Sequence, residues 1–340
     1  MERKFHLLIS PKFFPKSLEY GLFGVSERNL NQLANVRKGD IAFYYTAHKV
    51  GPRTEGVIYG PFEVISGVFF NDQLVWAPDP KYRNRDKYPF RIKIKYLEEH
   101  ACLNPVPVQA FWDLREEGKI KSIIDSSALI DKAVCTLLHQ EGILLMQTLL
   151  QANQIPGIDR SPYKGHAFQQ KEIEIFKAKG KDIQELNMEA YLEAYLLMNP
   201  QKLHQLAGFN DFSGEKYQVA ILNQVSTFIA GGAIDIVCLY KKRVLDIWLT
   251  LSAAVFELKK GVIDPYFVDQ LTRYIEWTAR LIPGAKHEMI KGIIIGRDFG
   301  KQIHARNAVI ERIANLDKIY SLSCYIYHLR DKEITFERLK

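Results

Sequence analysis

The chain has only four cysteines in 340 residues, and Cys102, Cys135, Cys238 and Cys324 stand singly. No CxxC pair occurs and no histidine is spaced to complete a zinc site, so structural thiols in a reducing compartment are expected rather than a zinc cluster. No apolar run reaches the ~18–20 residues needed to span a bilayer. The longest candidate, Val244 to Leu258, carries Asp246 and closes on Glu257 and Lys259. The opening stretch MERKFHLLISPKFF has a short apolar segment interrupted by Lys12 and no small-residue cleavage site. A soluble, cytoplasmic protein without a membrane partner is expected. Internal repeats and low-complexity tracts are absent from the sequence as well.

What remains is an ordinary globular balance. Hydrophobic residues make up 47% and charged residues 25%, which argues against disorder. A length of 340 residues exceeds what one hydrophobic core usually holds, so two domains are expected. The formal net charge of +7 suggests a polyanionic partner, although a basic total by itself selects no function.

Residues 5 to 100 read as short strands separated by turn signals, a small, mostly β, barrel-like domain. Phe5 to Ile9 is apolar, Asp40 to Thr46 follows a Lys38-Gly39-Asp40 turn, and Val57 to Val68 surrounds Gly60-Pro61. The run FRIKIKY alternates, which predicts Phe90, Ile92 and Ile94 facing inward and Arg91, Lys93 and Lys95 outward. Ser26 is placed to cap a helix over SERNLNQL. A further helix is predicted from Ser126 to about Asn153, broken near Gly142. Residues 156–181 are rich in turn formers and polar residues and are expected to connect the domains.

The second half reads α-β-β-β-α-β, extended by one more helix and strand. A helix from Glu185 to Met198 ends at Asn199-Pro200. Strands are predicted at Gln218 to Ile221, Ile234 to Tyr240 and Leu245 to Lys259, then a helix from Pro265 to Leu281. A buried strand at Gly292 to Ile295, a helix from Ala305 to Ala314 and a last strand at Leu322 to His328 follow.

The segment Val255-Phe256-Glu257-Leu258-Lys259 carries the most chemistry. In a strand Glu257 and Lys259 share a face while Phe256 and Leu258 point into the core. A carboxylate suits Mg²⁺, and an ammonium beside it can neutralise charge on a phosphate. Such a triplet alone is uninformative, since any solvated strand edge yields one. Its surroundings add weight. Asp235 stands alone in the apolar run Ile234-Asp235-Ile236-Val237, where burial is costly without a partner or a cation. Gln270 and Tyr274 lie four apart on a helix and face the same way. Glu193 sits in a preceding helix with Glu189 as its competitor, and Asp246 is the alternative to Asp235.

These pieces, in order, resemble the PD-(D/E)xK nuclease superfamily, and in particular its NucS/EndoMS-like C-terminal domain. The matching residues are Leu192-Glu193, Asn199-Pro200, Gly232-Ala233-Ile234-Asp235, Glu257-Leu258-Lys259-Lys260-Gly261, Gln270-Leu271, Tyr274 and Lys291-Gly292-Ile293-Ile294-Ile295, over roughly residues 185 to 300. The resemblance implies Glu193, Asp235 and Glu257 as ligands of Mg²⁺ or Mn²⁺, Lys259 as the catalytic lysine, and Gln270 and Tyr274 as supporting groups. One departure is a longer hairpin between Asp235 and Glu257, with Lys241, Lys242 and Arg243 expected at its tip, either touching a nucleic-acid backbone or simply solvated.

The first hundred residues resemble the EVE/YTH-like branch of the PUA-type barrels. The resemblance rests on Phe5 to Ser10, Gly24 to Asn29, Lys38 to Tyr45, Tyr59-Gly60, Trp76 and Tyr88 to Lys93. It implies a pocket for a flipped, modified base, which needs aromatic walls and polar edge readers. Phe23, Tyr44, Tyr45 and Trp76 are candidate walls, and Ser26 and Asn29 candidate readers. Alternation places Tyr44 and Tyr45 on opposite faces, so one at most lines the pocket. The basic run Lys81 to Lys95, with Arg91 and Lys93, either tracks phosphates or forms a solvated strand face.

The expected architecture is therefore a two-domain α+β or α/β chain. A PUA-like β-barrel with helices spans residues 1–155, a linker 156–181, and a restriction-endonuclease-like mixed sheet flanked by helices 182–340. The resemblances imply a metal-dependent DNA endonuclease, modification-dependent and of restriction type. A mismatch or branched-DNA repair nuclease of NucS type and a non-catalytic DNA- or RNA-binding protein stand as alternatives. DNA is the expected partner ahead of RNA, and a double-strand cut would call for a homodimer.

Overall fold

The computed structural model describes residues 3–10, 14–50, 53–81, 83–97, 102–116, 132–154, 189–210, 215–227, 232–299, 303–330 and 333–339. The chain divides into two compact units, Met1–Gly180 and Lys181–Lys340. The expected linker and the expected helix start at Ser126 lie outside the described residues. No described helix is long and apolar enough to cross a membrane.

The first unit runs β1 (Phe5–Ile9), α1 (Phe14–Tyr20), β2 (Leu22–Val25), α2 (Leu30–Ala34), β3 (Ile41–Val50), β4 (Arg53–Val64), β5 (Phe69–Phe70), β6 (Phe90–Tyr96), β7 (Cys102–Pro107), α3 (Val108–Glu116), β8 (Val134–Leu137) and α4 (His139–Gln154). Its eight strands form one sheet with the main path β2-β6-β4-β3-β1-β8. The sheet curls as a half-barrel, in keeping with the barrel-like reading of the sequence. Period-two alternation sorts the central strands into two cores. Leu7, Ile9, Phe43 and Ile58 pack with Phe111, Leu145 and Leu149. Leu8, Tyr44, Tyr59 and Ile92 pack on the other face with Phe23 and Leu33.

Two expectations for this unit are corrected. Val134–Leu137 is a buried strand antiparallel to β1, so it interrupts the helix predicted from Ser126 to about Asn153, and the described helix starts at His139. The Leu138 amide donates to the Glu141 carboxylate at 2.8 Å, which fixes that start. Gly142 does not break the helix: a Cβ there would meet the Phe5 ring, so the glycine admits that ring against α4. Ser26 does hold the N-cap position of the short 3-10 turn before α2, but its side chain makes no capping bond. A buried polar network adds register: His6 Nε2 meets Asp40 Oδ2 at 3.0 Å and His6 Nδ1 meets Thr136 Oγ1 at 3.2 Å, tying β1 to β8 and to the turn before β3.

The second unit runs α5 (Glu189–Met198), α6 (Pro200–Ala207), β9 (Tyr217–Thr227), β10 (Gly232–Val244), β11 (Ile247–Leu258), α7 (Pro265–Ala279), β12 (Ile290–Gly296), α8 (Ile303–Leu316), β13 (Ser321–Arg330) and β14 (Glu333–Arg338). Asn199-Pro200 ends α5 as expected, and Pro200 at once starts α6, because proline suits a first helical turn. The six-stranded sheet has the order β14-β13-β12-β11-β10-β9. β9, β10 and β11 are an antiparallel meander, β11, β12 and β13 are parallel through the crossovers α7 and α8, and β14 adds an antiparallel edge. Ile236, Val237, Cys238, Val255, Phe256, Ile293, Ile294 and Ile295 are all buried, the continuous apolar runs that strands covered on both faces require.

Candidate active site

The centre of this sheet holds two buried acids, Asp235 and Glu257. Asp235 on β10 stands one step beyond the Ile236–Phe256 pair and so opposite Glu257 on β11. Asp235 Oδ2 accepts from the Leu258 amide at 2.7 Å, replacing a ladder bond, and only 8% of the residue is exposed. Glu257 is 1% exposed: its Oε1 lies 2.6 Å from Lys259 Nζ, while its Oε2 is buried without a hydrogen-bond partner. Lys259, exposed over 18% of its side chain, also sets its ammonium 4.6 Å from the centre of the Phe267 ring on α7. The expected shared face of Glu257 and Lys259 is realised.

Electrostatics bind the group together. Burial first, and the negative charge of Asp235 second, push the Glu257 carboxyl well above the usual carboxylate range. Burial likewise raises Asp235, against the pull of Lys259 and the Leu258 amide. Burial works against the Lys259 ammonium, but Glu257 and Asp235 outweigh it and hold its pKa above the ordinary value. Two carboxyls on neighbouring strands with a single ammonium between them leave negative charge that a cation or a proton must balance.

Glu193 and the α7 residues complete the surroundings. Glu193, 1% exposed on α5, accepts from Gln224 Nε2 at 2.7 Å and from Asn223 Nδ2 at 3.5 Å. The same Gln224 nitrogen lies 3.3 Å from Asp235 Oδ1, so Glu193 reaches Asp235 across an amide. Glu189 accepts from the Lys260 amide at 3.3 Å and adds negative potential at Asp235, Glu257 and Lys259. Gln270 Nε2 donates to Tyr274 Oη at 2.5 Å, and that hydroxyl donates to the Ala233 carbonyl at 3.2 Å. Burial pushes the Tyr274 phenol up to about 12, so it remains a donor at neutral pH. The pair lies beside Gly232, where a Cβ would come within 2.6 Å of the hydroxyl.

The donor set suits a divalent ion in one limited sense. No group of three or more His, Cys, Asp and Glu side chains stands ready to hold a metal among the described residues. Mg²⁺, however, is commonly held by one or two carboxylates together with substrate phosphate and water. Asp235 and Glu257, with the partnerless Glu257 Oε2, meet that requirement. The third implied ligand, Glu193, is separated from them by Gln224. Gln224 and Asn223 were missed from the sequence, although two adjacent amides interrupting the apolar run of β9 are a visible signal.

The remaining expected residues divide. Asp246 sits at the hairpin turn with Leu245, 93% exposed along its side chain and paired to Arg243 at 2.7 Å, so Asp235 is the acid that faces Glu257. Lys241 and Lys242 are half-buried along β10 and not at the hairpin tip, and Lys242 lies 6.0 Å from the Tyr217 ring. In the first unit Arg91 is fully buried, contrary to the alternation. It donates to Asn71 Oδ1 at 3.0 Å and to the Tyr88 carbonyl at 3.1 Å, lies 3.5 Å from Asp86, and stacks 4.9 Å from the Trp76 ring. That guanidinium is committed to the fold and not to a phosphate. Lys93 is half-buried.

Phe23 meets Tyr44 edge-on at 5.7 Å in one core, whereas Tyr45 packs against the core on the other face. Phe23 and Tyr44 thus share one face and Tyr45 takes the other, as the alternation required, and the Tyr44 hydroxyl donates to Ser17 Oγ at 2.9 Å. Trp76 belongs to a third cluster with Leu22 and Val75. Its indole nitrogen donates to Ser17 Oγ at 3.1 Å, and its ring lies against Gly24; Ser26 and Asn29 are half-buried.

No family model matches the chain, and no curated protein matches it. Among solved structures, the chain is similar to human THYN1 in complex with DNA containing 5-methylcytosine, at 12% identity and a TM-score of 0.30 over 43% of this chain and 97% of that one. It is also similar to the Pho92 YTH domain in complex with m6A, at 14% identity and a TM-score of 0.31 over 46% of this chain and 87% of that one. The DUF55 domain of human thymocyte nuclear protein 1 gives 11% identity and a TM-score of 0.31, over 44% of this chain and 98% of that one.

Proposed function

We propose that the second unit is a metal-dependent endonuclease acting on DNA, and that the first unit selects the substrate by a modified base. The observation that carries the reading is the buried Asp235–Glu257 pair beside Lys259, with one Glu257 oxygen left without a partner. The ordered resemblance to PD-(D/E)xK nucleases runs through these same residues. In this reading Asp235 and Glu257 hold the Mg²⁺ or Mn²⁺, which when bound supplies Lewis acidity and an activated water. Lys259, held charged by the two acids, offsets negative charge developing on the phosphate and orients the attacking water. Gln270 and Tyr274 hold the approach of β10 beside the centre through the Ala233 carbonyl. The recognition role of the first unit rests on its sequence resemblance and on Trp76 lying against Gly24, at the start of the Gly24 to Asn29 segment.

The test is cleavage in Mg²⁺ or Mn²⁺ of plain, base-modified, mismatched and branched DNA, with RNA alongside. Cleavage of modified DNA that vanishes in Asp235→Ala and Lys259→Ala while binding persists is expected. Equal cutting of modified and plain DNA would remove the recognition role, and no cutting of any substrate would remove the nuclease.

A further inference from the structure

Gln224 has a backbone that its residue type does not explain. It stands in β9 opposite Asp235, between the ladder pairs Ile234–Val225 and Ile236–Asn223. Its φ is +51°, in the left-handed region, inside a strand. A residue other than glycine held there costs on the order of 1–3 kcal/mol, and such positions cluster at functional sites. What the conformation does here is aim the carboxamide between two acids. Nε2 lies 2.7 Å from Glu193 Oε2 and 3.3 Å from Asp235 Oδ1.

Those separations have a second meaning. Adjacent oxygens around an octahedral Mg²⁺, with bonds of ~2.0–2.1 Å, stand about 3 Å apart. The amide atom facing Glu193 and Asp235 thus already has the spacing of one ligand beside two others. Two carboxylates set this way need a donor or a cation between them, and here the amide nitrogen is the donor. A half-turn about the terminal side-chain bond exchanges that nitrogen for Oε1, because a carboxamide carries a donor and an acceptor at nearly the same positions. Glu257 Oε2, buried without a hydrogen-bond partner, is a second polar atom at this centre that a cation or a proton would satisfy.

We infer that Gln224 is a metal-site residue: its amide nitrogen bridges Glu193 and Asp235, and the same side chain, turned about its last bond, offers Oε1 to a cation held by Asp235 and Glu257. This rests on the proposed nuclease reading and adds a neutral ligand to it. It also accounts for the position of Glu193, which Gln224 links to the centre.

The experiment is calorimetric titration of the full chain with Ca²⁺ and with Mn²⁺, in the absence of nucleic acid. Gln224→Leu keeps the bulk and removes both polar atoms, and affinity should fall about 10–100-fold. Gln224→Glu keeps an oxygen and should bind at least as tightly as wild type at pH 8. Gln224→Gly relaxes the left-handed backbone, so it folds whatever becomes of the leucine variant, and it should lose affinity in the same way. Leucine and glycine variants that bind as tightly as wild type, or tighter, would reduce Gln224 to a placeholder and overturn the inference. If those variants match wild type while Asp235→Asn abolishes binding, the inference alone fails. If wild type binds no divalent ion, the nuclease reading fails with it.

Discussion

Replacing Glu257 by glutamine removes a buried charge without changing shape, and its effect on stability has a sign that reverses common intuition about salt bridges. The carboxyl is raised from its ordinary 4.5 to about 8, chiefly by burial and then by Asp235, despite the Lys259 ion pair. A carboxyl whose folded pKa is raised favours the fold while protonated. Its contribution is complete below pH 4.5 and is lost as pH climbs through about 8. At about 1.4 kcal/mol per tenfold change in proton affinity, the metal-free protein loses on the order of 5 kcal/mol through this group between pH 4.5 and pH 9. Asp235, raised to about 6, acts in the same direction over a lower window. The assay is urea unfolding in EDTA at several pH values for wild type and Glu257→Gln. The variant should be the more stable protein at pH 9, by a few kcal/mol, with the difference shrinking toward pH 5. A divalent cation at pH 9 should then stabilise wild type and leave the variant unchanged. A variant less stable than wild type at pH 9 would refute the reasoning, because it would make the Lys259 pair stronger than the burial penalty.

Other perturbations separate chemistry from architecture. Lys259→Ala should reduce cleavage at least 10²-fold, while calorimetry finds Ca²⁺ binding retained. Metal affinity should rise with pH across about 6 to 8, because binding must displace protons from Asp235 and Glu257; proton uptake or release measured in two buffers reads this directly. Arg91→Ala should cost about 3 kcal/mol in urea unfolding, since it removes the guanidinium beside the buried Asp86 and the packing against Trp76 while the Val75, Trp76 and Tyr88 amides still hold the carboxylate, and leave the salt dependence of nucleic-acid binding unchanged. Gly232→Ala should cost about 1–3 kcal/mol, because its Cβ meets the Tyr274 hydroxyl at 2.6 Å.

The second unit was the more legible in sequence. Its strands are apolar runs bounded by turn formers, and two of its helices carry proline starts, at Pro200 and at Pro265 after the capping Asp264. Local rules suffice there, including the strand geometry that sets Glu257 beside Lys259. The first unit yields less because its elements are short and partnered at long range. Val134–Leu137 reads as the start of a helix, and only pairing with β1, from the far end of the unit, makes it a strand. Arg91 was misplaced for a related reason. Alternation tells which side of β6 it takes, but not that the segment carrying Asn71, Trp76 and Asp86 covers that side. Gln224 depends on a positive φ that no residue pattern announces, whereas Asp235 stood out as a lone acid in an apolar run.

The most direct measurement of the metal centre is anomalous diffraction from crystals of the full chain soaked in Mn²⁺. The account predicts a peak within ligand distance of the Asp235 and Glu257 carboxylates, beside Gln224, and its loss in Asp235→Asn. A peak elsewhere in the second unit, or none at these carboxylates at saturating Mn²⁺, would contradict it.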